Sequence, residues 1–152
     1  MTEYAILLPD NETQWEQADE STRRTTYARH RRFMELLAER GHQLTGGAEL
    51  THSRSATVVR GILDEVTVTE GPYAESVEQL SGFYLIRSDD LADLQQLSGL
   101  LAGDGAVEIR AVVPDSDPVL DAGRAADPSV GAGAGTVLGV VHGADSAGNR
   151  SS

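Results

Sequence analysis

Histidine suits proton transfer near neutral pH, and one of the four histidines of this chain is well placed for it. His30 lies within a predicted helix, on its apolar stripe. An unperturbed imidazole has a pKa of about 6.5, so His30 could act as a general acid or base at the mouth of a cleft. A carboxylate would have to orient the ring, and Glu49, Glu70 and Glu75 are candidates. The alternative is a core or interface histidine satisfied by one hydrogen bond.

Tyrosine and arginine side chains could bind a ligand beside this histidine. Tyr73 and Tyr84 could donate a hydrogen bond to a carbonyl group. Arg60 and Arg87 stand at predicted strand ends, where a guanidinium could hold a carboxylate or form a salt bridge within a dimer. The predicted site has His30, Glu49 and Glu75 as acid–base candidates and Tyr73, Arg60 and Tyr84 as ligand-binding candidates.

Several other kinds of site are excluded or disfavoured by the sequence. The chain contains no cysteine, and its histidines are scattered without metal-binding spacing, so no metal site is predicted. It also lacks lysine, which excludes a lysine Schiff base, and has no GxGxxG, GKS/GKT or GxSxG motif. We therefore predict that the domain works without a cofactor.

Composition limits the partners and the location of the chain. The formal net charge is −12 over 152 residues, and such a field repels the phosphates of nucleic acids. No apolar run approaches the ~20 residues that cross a bilayer, so no membrane partner is expected. The absence of cysteine is consistent with a reducing cytoplasm, the predicted location.

Hydrophobic patterning predicts one folded domain over residues 1–113. Apolar residues at three- and four-residue spacing indicate a helix over 21–40, which begins at Ser21 or Thr22 and ends at Gly41. A second helix is expected from 88 to 103, and 10–20 is expected to be a loop. Short apolar or alternating runs predict strands at 3–8, 42–50, 56–60, 66–69, 81–87 and 105–113.

This order of elements is typical of an α+β ferredoxin-like sandwich with an inserted β-hairpin. Both helices would cover one face of an antiparallel sheet, and a second subunit is the simplest cover for the other face. Residues 114–152 are rich in Gly, Ala and Pro, lack aromatic residues, and are predicted to be a disordered tail. Its apolar segment 136–142 could dock as an edge strand or bind a protein partner.

The segment EGPYAESVEQLSGFYLI, residues 70–86, resembles the signature of the DGPF branch of the YCII-related proteins. Glu70 stands where that signature has its first aspartate, and Tyr73 stands where it has phenylalanine. Three further features are similar: the helix ending at Gly41, the Gly-Gly strand after it, and the opening strand followed by an acidic loop with a tryptophan. The resemblance covers about residues 3–113.

This resemblance implies a dimeric ferredoxin-like α/β barrel and a histidine–aspartate pair in a cleft. His30 stands where the histidine is expected, whereas no aspartate of the sequence matches its partner. Two functions follow: a cofactor-free small-ligand-binding or acid–base domain built around His30, or a regulatory or accessory interaction module. Many relatives look to be encoded near extracytoplasmic-function sigma factors, so the second function implies an association with such a factor.

Overall fold

This computed structural model describes residues 1–115, which form six strands and three α-helices. The elements are β1 (Thr2–Asp10), α1 (Glu12–Gln17), α2 (Glu20–Glu39), β2 (Gln43–Glu49), β3 (Thr57–Arg60), β4 (Thr67–Glu70), β5 (Gln79–Ser88), α3 (Leu91–Ala102) and β6 (Glu108–Ala111). A single 3-10 turn, Ser53–Ser55, precedes β3. Nearly all of the predicted tail, including segment 136–142, lies outside the described residues. The predicted mixed α+β class is confirmed.

The main sheet is antiparallel and has the strand order β2-β5-β1-β6. Helices α2 and α3 pack on one face of it, and both the helices and the strands contribute large side chains to the layer between them. The core residues are Ile6, Phe33, Leu37, Tyr84, Ile86, Leu94 and Leu97. Because burial of a large apolar side chain contributes about 1.5–3 kcal/mol, this layer holds the helices against the sheet.

Side chains of β5 alternate between the two faces of the sheet. Tyr84 and Ile86 are buried beneath the helices, whereas Phe83 and Leu85 are half-buried on the opposite face. The helices of residues 1–115 cover one face of this strand, and the other face is the one for which the sequence predicts a second subunit as cover.

Polar side chains set the starts of the first two helices. The Asp19 carboxylate accepts a hydrogen bond of 2.7 Å from the backbone N–H of Thr22, so α2 is capped by Asp19 rather than by Ser21 or Thr22. The predicted loop 10–20 contains the short helix α1, which Asn11 caps. Helix α1 escaped prediction because it is one and a half turns long and buries no residue fully.

Glycines allow β2 to lie very close to β5. The register of this pair shifts between Leu44 and Gly46, as at a β-bulge. A Cβ atom on Gly47 would lie 2.8 Å from the carbonyl oxygen of Phe83 and 3.0 Å from the ring of Tyr84. The Gly-Gly pair therefore gives the Tyr84 ring its place beside the edge strand.

The predicted hairpin is confirmed as a separate two-stranded sheet of β3 and β4. Its turn has positive φ angles at Gly61 and Asp64 (99° and 71°). The hairpin leaves Val59, Ile62, Leu63, Val66 and Val68 more than half exposed. None of the helices within residues 1–115 is long and apolar enough to span a membrane.

A polar cluster ties the ends of β2, β5 and α3 together. His42 is buried and lies 2.9 Å from the Ser88 hydroxyl through Nδ1 and 2.9 Å from the Asp93 carboxylate through Nε2. Arg40 donates a second hydrogen bond, of 2.6 Å, to Asp93. Ser88 is only 2% exposed, which denies a substrate access to its hydroxyl and makes this arrangement structural.

We expect Asp93→Asn to destabilise the protein at neutral pH but not in acid. Hydrogen bonds from His42 and then Arg40 lower the pKa of Asp93 below its ordinary value of 3.8. A lowered pKa in the folded state stabilises the fold above pH 3.8, and that contribution disappears as the pH falls through the folded-state pKa. Thermal unfolding of the wild type and of Asp93→Asn at a series of pH values should show a difference in melting temperature that shrinks below about pH 4.

The exposed Asp104 provides the matched control, because it forms no ion pair with any described residue. Asp104→Asn should unfold like the wild type at every pH. If Asp93→Asn lowered the melting temperature by the same amount at every pH from 2.5 to 7, that result would contradict this account.

Candidate functional site

A cavity of about 430 Å³ opens between α1, α2 and the end of the main sheet formed by β2 and β5. Helix α2 contributes Tyr27 and His30, which lie on one helical face because they are three residues apart. The sheet contributes Glu49 and Tyr84, from neighbouring strands. The volume lies in the usual range for small-molecule sites, about 300–1,000 Å³.

His30 and Tyr84 form the central contact of this cavity. The Nδ1 atom of His30 lies 2.7 Å from the Tyr84 hydroxyl, and the two ring centroids are 5.9 Å apart. Nδ1 can accept a hydrogen bond from this hydroxyl, or it can donate one to it when the ring is in the other tautomer. Nε2 forms no hydrogen bond with the described residues, so it can give or accept a proton while the Tyr84 contact persists.

Burial sets the protonation states of this pair. Burial lowers the pKa of His30 below its ordinary value of 6.5, and the negative charge of Glu49 partly opposes that shift. Burial raises the pKa of Tyr84 to about 12, and Glu49 adds to the rise. At neutral pH the cavity therefore holds a neutral imidazole beside a protonated phenol, the form in which histidine can act as a base.

Glu49 stands at the rim of the cavity, where the Tyr27 hydroxyl donates a hydrogen bond of 3.2 Å to its Oε1 atom. Burial, followed by the charge of Glu49, raises the pKa of Tyr27, which keeps this hydroxyl a donor. Glu49 thus acts on both His30 and Tyr84 through its charge rather than through a direct hydrogen bond.

Helix α1 supplies the aromatic and cationic part of the wall. Trp15 packs edge-to-face on Tyr27 with ring centroids 5.8 Å apart, and the Arg23 guanidinium lies 5.3 Å from the Trp15 ring. Arg23 Nη2 donates hydrogen bonds to the carbonyl oxygens of Trp15 and Glu16, at 3.0 and 3.2 Å. Trp15 therefore anchors α1 and also lines the cavity.

A polar network attaches α1 to the turn before β3. Glu12 accepts hydrogen bonds from the backbone N–H and the hydroxyl of Ser53, at 2.7 and 2.5 Å. Although burial opposes it, these bonds lower the pKa of Glu12. Glu16 forms an ion pair with Arg54, whose hydrogen bond lowers the pKa of Glu16. The carboxylates of α1 are therefore ionised and held in place.

Two comparisons with known proteins assign the chain to a family. The model of the YCII-related domain matches residues 2–116. The chain belongs to the YCII-related family. A relative from Rhizobium meliloti (strain 1021), uncharacterized protein R00369, is 32% identical over 115 residues, which cover 70% of this chain and 89% of the relative. The family predicted from the sequence is confirmed, and the DGPF branch stays a prediction.

In this YCII-related domain, only half of the predicted site residues come together. His30, Glu49 and Tyr84 line the cavity. The others lie elsewhere: Glu75 borders a separate shallow depression, and Tyr73 is 84% exposed, with the Arg60 guanidinium 6.0 Å from its ring. Glu70 ends the exposed strand β4. None of these four side chains lines the cavity that holds His30.

Sequence reasoning missed three carboxylates of the cavity, Asp10, Glu12 and Glu16. Asp10 is the one that no ion pair or side-chain hydrogen bond of the described residues holds. It ends β1 directly after Pro9 and lines the same cavity as His30. Burial raises the pKa of Asp10 above its ordinary value of 3.8. The position at the end of the opening strand was a usable signal, because β1 and β5 are neighbours in the sheet. Among the described residues, no group of three or more histidine, aspartate and glutamate side chains is arranged to hold a metal ion.

Replacing Glu49 should change the titration of His30. The Glu49 charge favours the imidazolium, so Glu49→Gln is expected to move the pKa of His30 further below 6.5. The His30 ring proton signals, followed by NMR over pH 4–9, measure this directly. Glu75→Gln is the matched control, and equal His30 titrations in all three proteins would refute the assigned role of Glu49.

Proposed function

We propose that this YCII-related domain binds a small ligand in the cavity and that His30 transfers a proton to or from it without a cofactor. The His30–Tyr84 contact of 2.7 Å inside a cavity of about 430 Å³ carries the proposal. Burial keeps the imidazole neutral, and Tyr84 can reverse the direction of its hydrogen bond as the imidazole changes tautomer. Proton abstraction, isomerisation and elimination are the reaction types that such a pair supports.

In this proposal Tyr84 orients the His30 imidazole, and the charge of Glu49 shifts the pKa of His30. The hydroxyl fixes the imidazole through Nδ1 and leaves Nε2 for the ligand. Asp10 and Glu49 line the same space, so a carboxylate is available to accept a proton or to hold a polar group of the ligand. Glu75, Tyr73 and Arg60 have no place in this scheme because they do not line the cavity.

Deuterium exchange into simple carbonyl compounds tests the proton transfer. Hydroxyacetone, aminoacetone and pyruvate are small carbonyl compounds of different charge, and loss of their C–H signals in D2O is measured by NMR. We expect the full chain to accelerate exchange of at least one of them. His30→Asn should lower that rate about 100-fold or more, and Tyr84→Phe should lower it less, since general acid–base catalysis contributes about 10²–10⁴-fold.

Tyr73→Phe is the matched control for Tyr84→Phe, because it removes the same hydroxyl from a residue outside the cavity. Absence of acceleration by the wild type, or equal rates in wild type and His30→Asn, would overturn the proposed proton transfer.

We also propose that the domain is a ferredoxin-like homodimer joined through the sheet face opposite the helices. The strand order and the single helical layer support this fold. The open face carries Ala5, Leu7, Phe83 and Leu85, whose positions follow from the strand register. It also carries two acids and two arginines in close pairs, Glu3 with Arg87 at 3.7 Å and Glu108 with Arg110 at 3.6 Å. A neutral, partly apolar patch on a chain of net charge −12 suits contact with its own copy.

Leu85→Glu should convert the dimer to a monomer, because it places like charges on both sides of the interface without touching the helical core. Sedimentation velocity of the full chain measures the change. Leu63→Glu, at the 86% exposed hairpin tip, is the control and should stay dimeric. A monomeric wild type would refute the dimer.

The regulatory or accessory role, with a sigma factor as a possible associate, is the second candidate. The exposed apolar side chains of the β3–β4 hairpin favour it, since such surfaces commonly mark protein contacts. This role predicts no dependence on His30, so the exchange experiment separates the two functions. The cytoplasm is the proposed location in either case.

A further inference from the structure

Carboxylates outnumber guanidinium groups around the cavity. Its described lining includes four carboxylates, one arginine and two histidines: Asp10, Glu12, Glu16, Glu49, Arg23, His30 and His52. His52 lies 3.4 Å from Glu12 and 3.8 Å from Glu16. Glu16 is paired with Arg54, and Glu12 is held by Ser53. Asp10 and Glu49 form no ion pair with any residue of the described chain. Two carboxyl groups of the lining are therefore without an ionic partner in the described chain.

Arg23 is poorly placed to hold an anionic ligand. Its Nη2 atom is occupied by the carbonyl oxygens of Trp15 and Glu16, and its guanidinium lies against the Trp15 ring. Its Nε atom is buried and has no hydrogen-bond partner among the described residues. A carboxylate or phosphate on the ligand would thus meet four carboxylates and a single arginine whose Nη2 atom is already occupied.

The wall between these carboxylates is aromatic. Trp15, Tyr27 and Tyr84 line the cavity. The face of an aromatic ring carries negative charge density and attracts a cation, most strongly where water is excluded. Carboxylates beside aromatic rings are the combination that recognises ammonium groups, whereas a phosphate or carboxylate site would need free arginines or backbone N–H groups.

We propose that the ligand of this cavity is a small organic cation, an amine or a quaternary ammonium compound. The inference rests on the proposed function, since it names the class of molecule for the same cavity. The ammonium group lies between the Asp10 and Glu49 carboxylates and the aromatic wall, and His30 exchanges a proton with another part of the molecule. The net charge of −12 also attracts cations from solution and repels anions.

Three probes of nearly the same shape and of different charge test the proposal: choline, 3,3-dimethylbutan-1-ol and 3,3-dimethylbutanoate. Trp15 is the single tryptophan of the chain, so its indole N–H signal and its fluorescence report on the cavity alone. We expect choline to shift the indole signal and to bind about tenfold more tightly than the neutral alcohol, with no binding of the carboxylate.

Single charge removals identify the groups responsible. Asp10→Asn and Glu49→Gln should each reduce the preference for choline over the alcohol to about threefold or less. Asp104→Asn removes one exposed charge outside the cavity and should leave the preference unchanged. Raising the NaCl concentration from 20 mM to 500 mM should weaken the binding of choline more than that of the alcohol, because Glu49 is solvent-exposed and salt screens its charge.

The outcomes separate this proposal from the one on which it rests. Equal affinity for choline and the alcohol, or preference for the carboxylate, would overturn the cationic ligand while leaving a small-ligand site in place. No response of Trp15 to any of the three probes would also overturn it. Failure of the proposed function shows instead in the exchange experiment, where the rate would not depend on His30 for any carbonyl compound.

Discussion

Tyr84 belongs to the hydrophobic core and to the cavity wall at the same time, and the site depends on this double role. Its ring packs against Phe33 with centroids 5.5 Å apart and is 3% exposed, while its hydroxyl contacts His30. The packing that fixes α2 on the sheet therefore also fixes the distance between the phenol and the imidazole. A buried side chain in a close-packed core has little freedom, so the His30–Tyr84 pair is preorganised before a ligand arrives.

The edge of the sheet is shaped to admit this tyrosine. Gly47 lies across from Tyr84 in the β2–β5 register, and a Cβ atom there would meet both the Tyr84 ring and the Phe83 carbonyl. The bulge between Leu44 and Gly46 changes the register just before this point and helps bring Glu49 opposite Gly82, near the end of α2 that carries Tyr27. Two adjacent glycines in the sequence thus decide where the charged rim of the cavity lies.

Periodicity was sufficient to predict most of the fold, because the apolar positions of α2, α3 and the strands are those that the core uses. Phe33, Leu37, Leu94 and Leu97 were all recognisable from helical spacing. The site was predictable only in part. His30 was found through its position on an apolar stripe, but its partners come from β2 and β5, whose distance from α2 depends on packing that no local pattern encodes. Arg60 at the end of β3 and Tyr73 just after β4 resemble site residues by type, yet neither lines the cavity.

The protonation of His30 results from two opposing effects of unequal strength. A neighbouring carboxylate favours the imidazolium, whereas burial favours the neutral ring, and burial is the larger effect here. Glu49 is exposed, so water and salt screen its charge and limit its influence. The net charge of −12 acts even more weakly, because most of its sources lie on the surface and are screened within about 10 Å. An acidic domain can therefore contain a neutral histidine in its cavity, because the charge of Glu49 does not outweigh the effect of burial on the pKa of His30. In the proposed complex the Glu49 carboxylate contributes instead to the preference for a cationic ligand.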